Sequence, residues 1–210
     1  MARKTQASMD IQTPLHPNAQ KLLDTTIDLL THNSIEQIHL AQVLQLSGIS
    51  NGSLYHHFED FQDLLELAME HRFTAGLNES LRAIATLLES KDAQDFRNRV
   101  EHIVLTFHSQ DRRPFRMARL ETFGALTSRP RLAARIGRAQ YESNLKQAEF
   151  FAEFQHRGWF RNDLDPLAIS TFMTATFLGR VVDDIADIQV DPDQWSRVAM
   201  TAFRSIMFEA

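Results

Sequence analysis

Apolar residues recur along this chain at helical spacing, and no convincing alternating segment of the kind a strand needs interrupts them. The pattern predicts an all-α protein of about nine helices. The first covers residues 18–32, with Leu22, Leu23, Ile27 and Leu30 as its buried stripe. A short helix over 39–47 buries Leu40, Val43, Leu44 and Leu46. The turn Gly48-Ile49-Ser50 and a second short helix over 51–58 follow. Asp60 is placed to cap a long helix over 61–90. Further helices are expected over 92–110, 114–126 and 130–156, the last stopped by Gly158-Trp159-Phe160. Asp165-Pro166 and Asp191-Pro192 each set an N-cap aspartate before a proline, and so open helices over 166–185 and 192–208.

The stretch from His39 to Phe58 carries the chemistry. Gly48 stands where the first short helix must stop and reverse, a position that favours positive φ. Ile49 packs into the angle, Ser50 caps the next helix, and Leu54 and Phe58 point inward. Asn51, Gly52, Ser53, Tyr55, His56 and His57 are left on the outer side. A face with hydroxyl, amide and imidazole groups and no carboxylate suits phosphate and base-edge contact in a major groove. Gly52 permits close backbone approach, and the helix-end amides can meet a phosphate. An ordinary helical hairpin with a solvated polar face gives the same spacing. No metal site is expected from the adjacent His56 and His57, and no cofactor is expected anywhere.

Residues Leu22 to Leu65 resemble the DNA-binding domain of the tetracycline-repressor (TetR/AcrR) family of transcriptional regulators. Gly48-Ile49-Ser50 followed by Gly52-Ser53-Leu54-Tyr55-His56-His57-Phe58 is similar to that family's G-V-S-x-G-T-L-Y-x-H-F signature, and Leu64-Leu65 matches the start of its fourth helix. The resemblance implies a three-helix DNA-binding domain, a larger helical ligand-binding and dimerisation domain, and usually repression relieved by a small molecule. By it, Tyr55 and His56 match phosphate-contacting positions, and Asn51 and Ser53 match positions facing bases or backbone. Three positions depart from the family pattern. His39 stands where a backbone-contacting threonine is usual, Leu44 replaces a small residue, and Phe61 replaces a phosphate-binding lysine. The domain layout expected is a flexible arm over 1–16, a helix-turn-helix domain over 17–60, and a ligand and dimer domain over 61–210.

Charge makes this domain unusual. The chain is net −5, and residues 1–60 hold three basic residues against six acidic ones. A broad basic field is therefore absent, and binding must lean on local geometry. His39, His56 and His57 are then expected to gain charge beside phosphates, so operator affinity should rise as pH falls from about 7.5 to about 6. The salt dependence should be shallow.

The segment 97–138 is the opposite, with ten arginines against Glu101, Asp111 and Glu121. Ion pairs on solvated helix faces are one reading. The other is a pocket for an anionic effector such as a carboxylate or acyl-CoA-type molecule, with Arg116 and Arg119 as its contacts. Phe107, Phe123, Trp159 and Phe177 are expected to line it, with Phe115 and Phe172 as further candidates. The last two helices are expected to form a homodimer surface through Leu167, Thr171, Thr174 and Leu178 of the first and Trp195, Val198, Ala202 and Ile206 of the second. Arg180 is expected to be ion-paired with Asp183 or Asp184.

Composition excludes several classes. Hydrophobic residues make up 43% and charged residues 23%, the balance of a globular protein. No apolar run approaches the ~18–20 residues of a membrane span. The first twelve residues do not read as a signal peptide. The absence of cysteine rules out disulfides, zinc-thiolate sites and thiol nucleophiles, and fits a reducing cytoplasm, which the family resemblance implies is a bacterial one. No HExxH, GxSxG, phosphate-loop or dinucleotide motif is present, which speaks against an enzyme. A sequence-specific regulator binding a palindromic operator is the expected function. A protein-interaction module with a degenerate helix-turn-helix is the alternative.

Overall fold

The computed structural model describes residues 15–208, which divide into two compact units, one ending at Met69 and one beginning at Glu70. Among the described residues there are nine helices of seven residues or more and no strand. None is long and apolar enough to cross a membrane. The arm expected over 1–16 lies outside the described residues apart from Leu15 and His16.

The first unit begins with α1, Pro17–His32. His16 caps it, its Nδ1 accepting from the Asn18 amide at 3.2 Å, so this residue belongs to the fold and not to an arm. The buried face of α1 is Ala19, Leu22, Leu23, Thr26, Leu29 and Leu30. Ile27, expected in the stripe, is half-buried; Thr26 is buried instead, because its hydroxyl donates to the Leu22 carbonyl at 2.8 Å. A 3₁₀ turn, Ile35–Gln37, leads to α2, Leu40–Ser47, with His39 as its N-cap. Val43 and Ser47 are buried and Leu40 and Leu44 half-buried, but Leu46 is 61% exposed, contrary to expectation. At 100° per residue Leu46 points about a quarter-turn away from the face centred on Val43 and Ser47. Gly48 takes φ 65° and ψ 19°, and its N–H closes the helix on the Leu44 carbonyl at 2.9 Å.

Helix α3, Asn51–His57, is capped by Ser50, whose Oγ accepts from the Ser53 amide at 3.2 Å. Leu54 and Phe58 are buried as expected. Helix α4, Phe61–Ala85, opens on Asp60, which accepts from the Asp63 amide at 2.6 Å. Its first turns give the buried Leu64, Leu65, Ala68 and Met69 to the N-terminal unit. The unit boundary therefore falls within α4, nine residues beyond the 60/61 division expected from sequence. The helix expected to reach residue 90 tightens at Thr86–Glu89 into a 3₁₀ turn.

The second unit continues with α5, Ala93–His108, α6, Arg113–Leu126, and α7, Pro130–His156. Then come α8, Pro166–Gly179, a single turn α9, Val181–Asp184, and α10, Pro192–Met207. Asp92, Asp165 and Asp191 each accept amide hydrogen bonds at their helix starts. The helix expected over 166–185 is interrupted at Gly179-Arg180, where the Arg180 carbonyl accepts from both Asp183 and Asp184 amides. The core centres on Phe96, which meets Phe154, Trp159 and Phe160 at 4.7, 5.2 and 5.5 Å between ring centroids.

Candidate DNA interface and effector cavity

The turn between α2 and α3 holds the expected polar face out. Asn51, Gly52, Tyr55 and His56 are exposed on α3, and His39 is exposed at the start of α2. Two members of the set are also tied into the unit. Ser53 accepts from the Asn18 side-chain amide at 3.3 Å, and His57 stacks on His16 with centroids 4.7 Å apart. Burial, with repulsion from His16 and His56 behind it, holds the His57 imidazole below its ordinary pKa. The part played by His16 and Asn18 was missed in the sequence, although His16-Pro17 has the polar-cap-then-proline form used to place the later helices. A Cβ at Gly52 would meet nothing within 4 Å, as is also true at Gly124, Gly137 and Gly179. No packing reason requires glycine at this position.

The second unit contains a cavity walled by α4, α5, α6, α7 and α8. Its lining is chiefly apolar, with Leu77, Ile84, Ile103, Phe107, Phe115, Met173, Phe177 and Leu178, and the polar side chains of Ser80, Gln147 and Thr174. Of the residues expected from sequence, Phe107, Phe115, Phe177, Arg116 and Arg119 line it. Phe123 and Trp159 do not. Phe123 packs edge-on against Phe73 at 5.8 Å, and Trp159 belongs to the Phe96 core with Arg157 over its ring at 5.0 Å. Phe172 is exposed on α8.

The two cavity arginines differ sharply. Arg116 is satisfied on every nitrogen: Nε and Nη2 donate to the two Asp184 oxygens at 2.5 and 2.9 Å, and Nη1 donates to the carbonyls of Phe107 and Ser109 at 3.2 and 3.1 Å. Arg119 pairs with no carboxylate among the described residues. It lies between the rings of Phe73 and Phe115, 4.6 and 4.9 Å from their centroids, and reaches Gln140 Oε1 only at 3.5 Å. Its Nε has no hydrogen-bond partner, and burial lowers its pKa to about 10, so the group remains cationic at neutral pH.

Three other arginines of the 97–138 segment are in ion pairs, Arg99 with Asp95, Arg112 with Glu79 and Arg135 with Glu70, while Arg113 donates to the Asp184 carbonyl and Arg97 lies over the Phe208 ring. Arg180 is not paired as expected. It donates to the His108 carbonyl and lies 5.1 Å from the centre of the Trp195 ring, because Asp184 is already engaged by Arg116.

Of the eight residues expected on a dimer surface, Thr171, Val198 and Ala202 are exposed. Leu167 and Ile206 are half-buried, Thr174 and Leu178 line the cavity, and Trp195 turns inward to donate to His108 Nδ1 at 3.2 Å. Exposed apolar residues absent from that expectation are Phe172, Ile185 and Ile188.

The two units define an all-helical protein with a helix-turn-helix domain and a helical domain enclosing a cavity. In fold it is similar to solved structures of TetR-family transcriptional regulators. A proposed TetR-family regulator from Rhodococcus sp. is 18% identical, with a TM-score of 0.64 over 90% of this chain and 98% of that one. Salmonella enterica GusR is 16% identical, with a TM-score of 0.64 over 93% and 98%. A proposed transcriptional regulator from Saccharomonospora viridis, solved in complex with choline, is 19% identical, with a TM-score of 0.62 over 90% and 96%. No protein-family model and no curated protein matches the sequence.

Proposed function

We propose that this chain is a sequence-specific DNA-binding transcriptional regulator, working as a homodimer in the cytoplasm and released from a palindromic operator by a small-molecule effector. The observation that carries the reading is the outer face of α3. It offers Asn51, Ser53, Tyr55, His56 and His57 without a carboxylate, and it keeps a glycine at position 52 that the fold does not need. Glycine within a helix costs about 1 kcal/mol relative to alanine. A smooth surface that lets a phosphate or base edge approach the backbone accounts for its presence. His39 adds a further contact at the start of α2.

The homodimer reading is supported by the exposed apolar residues of α8 to α10, with Phe172, Val182 and Val198 beside Thr171 and Ala202. Two copies would present two recognition helices to half-sites about one DNA turn apart. The cavity is the effector site in this reading, and α4 links it to DNA binding. The same helix that contributes Leu77, Ser80 and Ile84 to the cavity wall supplies Leu64 and Leu65 to the helix-turn-helix core. A ligand that favours one placement of α4 thereby shifts the DNA-binding equilibrium. Repression is the mode the family resemblance implies.

Selection of bound fragments from genomic DNA, followed by footprinting, tests the proposal. A protected palindrome whose affinity exceeds that for random DNA by about a thousandfold is expected. Equal binding to all DNA, or none, would favour the protein-interaction module that the acidic N-terminal segment suggests.

A further inference from the structure

We propose that the cavity of the second unit takes a monoanionic amphiphile, a carboxylate with an apolar chain or ring, whose head group pairs with Arg119. The inference rests on the cavity being the effector site, and adds the chemical class of the effector.

Arg119 is only 9% exposed, lines the cavity, and carries an Nε–H with no acceptor. Buried cations are ordinarily paired with a carboxylate, and a buried donor is ordinarily satisfied. The other cavity arginine meets those rules, since Arg116 is held bidentately by Asp184. Arg119 departs from both. The faces of Phe73 and Phe115 hold its guanidinium plane in place and supply no acceptor. A flat, fixed fork with open N–H groups is the partner a carboxylate fits.

A second donor supports the same class. Gln147 lines the cavity, and its Oε1 is already occupied by the Ser170 hydroxyl at 3.0 Å. Its Nε2 donates to no described protein group, which leaves N–H donors from α6 and α7 in one cavity. The remaining wall, including Ile84, Ile103, Met173 and Leu178, suits a hydrocarbon tail.

Charge counting narrows the class further. One unneutralised cation in an apolar wall matches one negative charge. A phosphate dianion would leave a charge unmatched, which argues against burying the phosphates of an acyl-CoA here. A quaternary ammonium such as the choline of the Saccharomonospora complex would meet Arg119 as a like charge.

The test uses the full-length protein and calorimetric titration with octanoate and 3-phenylpropionate, against 1-octanol, 3-phenylpropanol and choline. The carboxylates are expected to bind at least about tenfold more tightly than the matched alcohols, and choline not at all. Arg119→Gln should remove that preference by lowering carboxylate affinity about tenfold or more, while alcohol binding changes little. Arg119→Lys should keep part of it. Alcohols or choline binding as well as the carboxylates, no binding by either acid, or full carboxylate affinity in a folded Arg119→Gln would each overturn the proposal. The wild-type comparison stands even if that variant fails to fold. Operator release is measured beside binding. Carboxylates that bind without releasing DNA would defeat the effector reading alone, and release by a neutral or cationic compound would defeat the anion proposal alone.

Discussion

Replacing Asp184 by asparagine removes the charge that Arg116 is built around while keeping the shape. The Asp184 side chain is wholly buried and that of Arg116 is 3% exposed, so water replaces little of what is lost. At a separation near 2.9 Å the Coulomb energy is about 5–6 kcal/mol at an effective dielectric of 20. Breaking a buried pair from one side costs about 3–5 kcal/mol. The lower part of that range applies, because Nη1 keeps the carbonyls of Phe107 and Ser109. With a urea m-value of about 2–3 kcal/mol/M, a loss of about 3 kcal/mol moves the midpoint down by about 1–1.5 M.

Urea titration followed by circular dichroism measures this on the wild type, Asp184→Asn, Asp184→Leu, Arg116→Met and a double variant carrying Asp184→Leu with Arg116→Met. The double variant should recover about 2 kcal/mol relative to the sum of the singles, because it buries no orphan charge. The reasoning would be falsified if Asp184→Asn kept its midpoint within about 0.3 M of wild type. Arg116 would then be free for a ligand, as its sequence position first suggested, and would not be a clamp between α6 and α9.

Gly76 faces the Phe115 ring so closely that an added Cβ would overlap it. Gly76→Ala should therefore forgo the gain of about 0.5–1 kcal/mol usual in a helix and lose about 1–3 kcal/mol to overpacking; a raised Tm would refute this. His108 is held down to about 4, first by burial and then by Arg180 and Arg116, whereas the unfolded chain protonates near 6.5. Its contribution is complete above pH 6.5 and drains as pH falls toward 4, by up to roughly 3 kcal/mol. His108→Gln should flatten the stability profile across that window, and an unchanged slope would assign it to other groups. His57, held low beside His16 and His56, takes its proton after an unperturbed imidazole would. The rise in operator affinity between about pH 7.5 and 6 should thus survive His57→Gln, and its disappearance would show His57 to be the titrating contact.

The helix-turn-helix was legible because its determinants are local. Gly48, Ser50, Leu54 and Phe58 lie within one short stretch, and each acts through its own backbone conformation, cap or face. The aspartate caps at 60, 165 and 191 were legible for the same reason. Periodicity failed where two faces compete for apolar residues. Leu46 was assigned inward by hydrophobicity alone, and Thr174 and Leu178 were assigned to an outer surface although they face the cavity. An apolar side chain wants burial, but the sequence does not say against what. The break at Gly179-Arg180 was missed because Arg180 turns toward His108 across 72 positions, a partner no local rule supplies.

The arginines make the same point about function. Arg116 and Arg119 are one turn apart on α6, are both buried, and were indistinguishable as sequence candidates. Their difference is set by residues far along the chain. Asp184, 68 positions on, neutralises Arg116, while the groups around Arg119 are Phe73, Phe115 and the neutral Gln140. A net positive segment is therefore weak evidence for an anion site, since part of its charge is neutralised by carboxylates, as at Arg99, Arg112, Arg116 and Arg135. Arg180, its Nε and Nη2 also without acceptors, is left over too but does not line the cavity, so the informative quantity is the leftover cation that does. Here it sits in the wall of an apolar cavity, where an unmatched charge is hardest to sustain without a ligand.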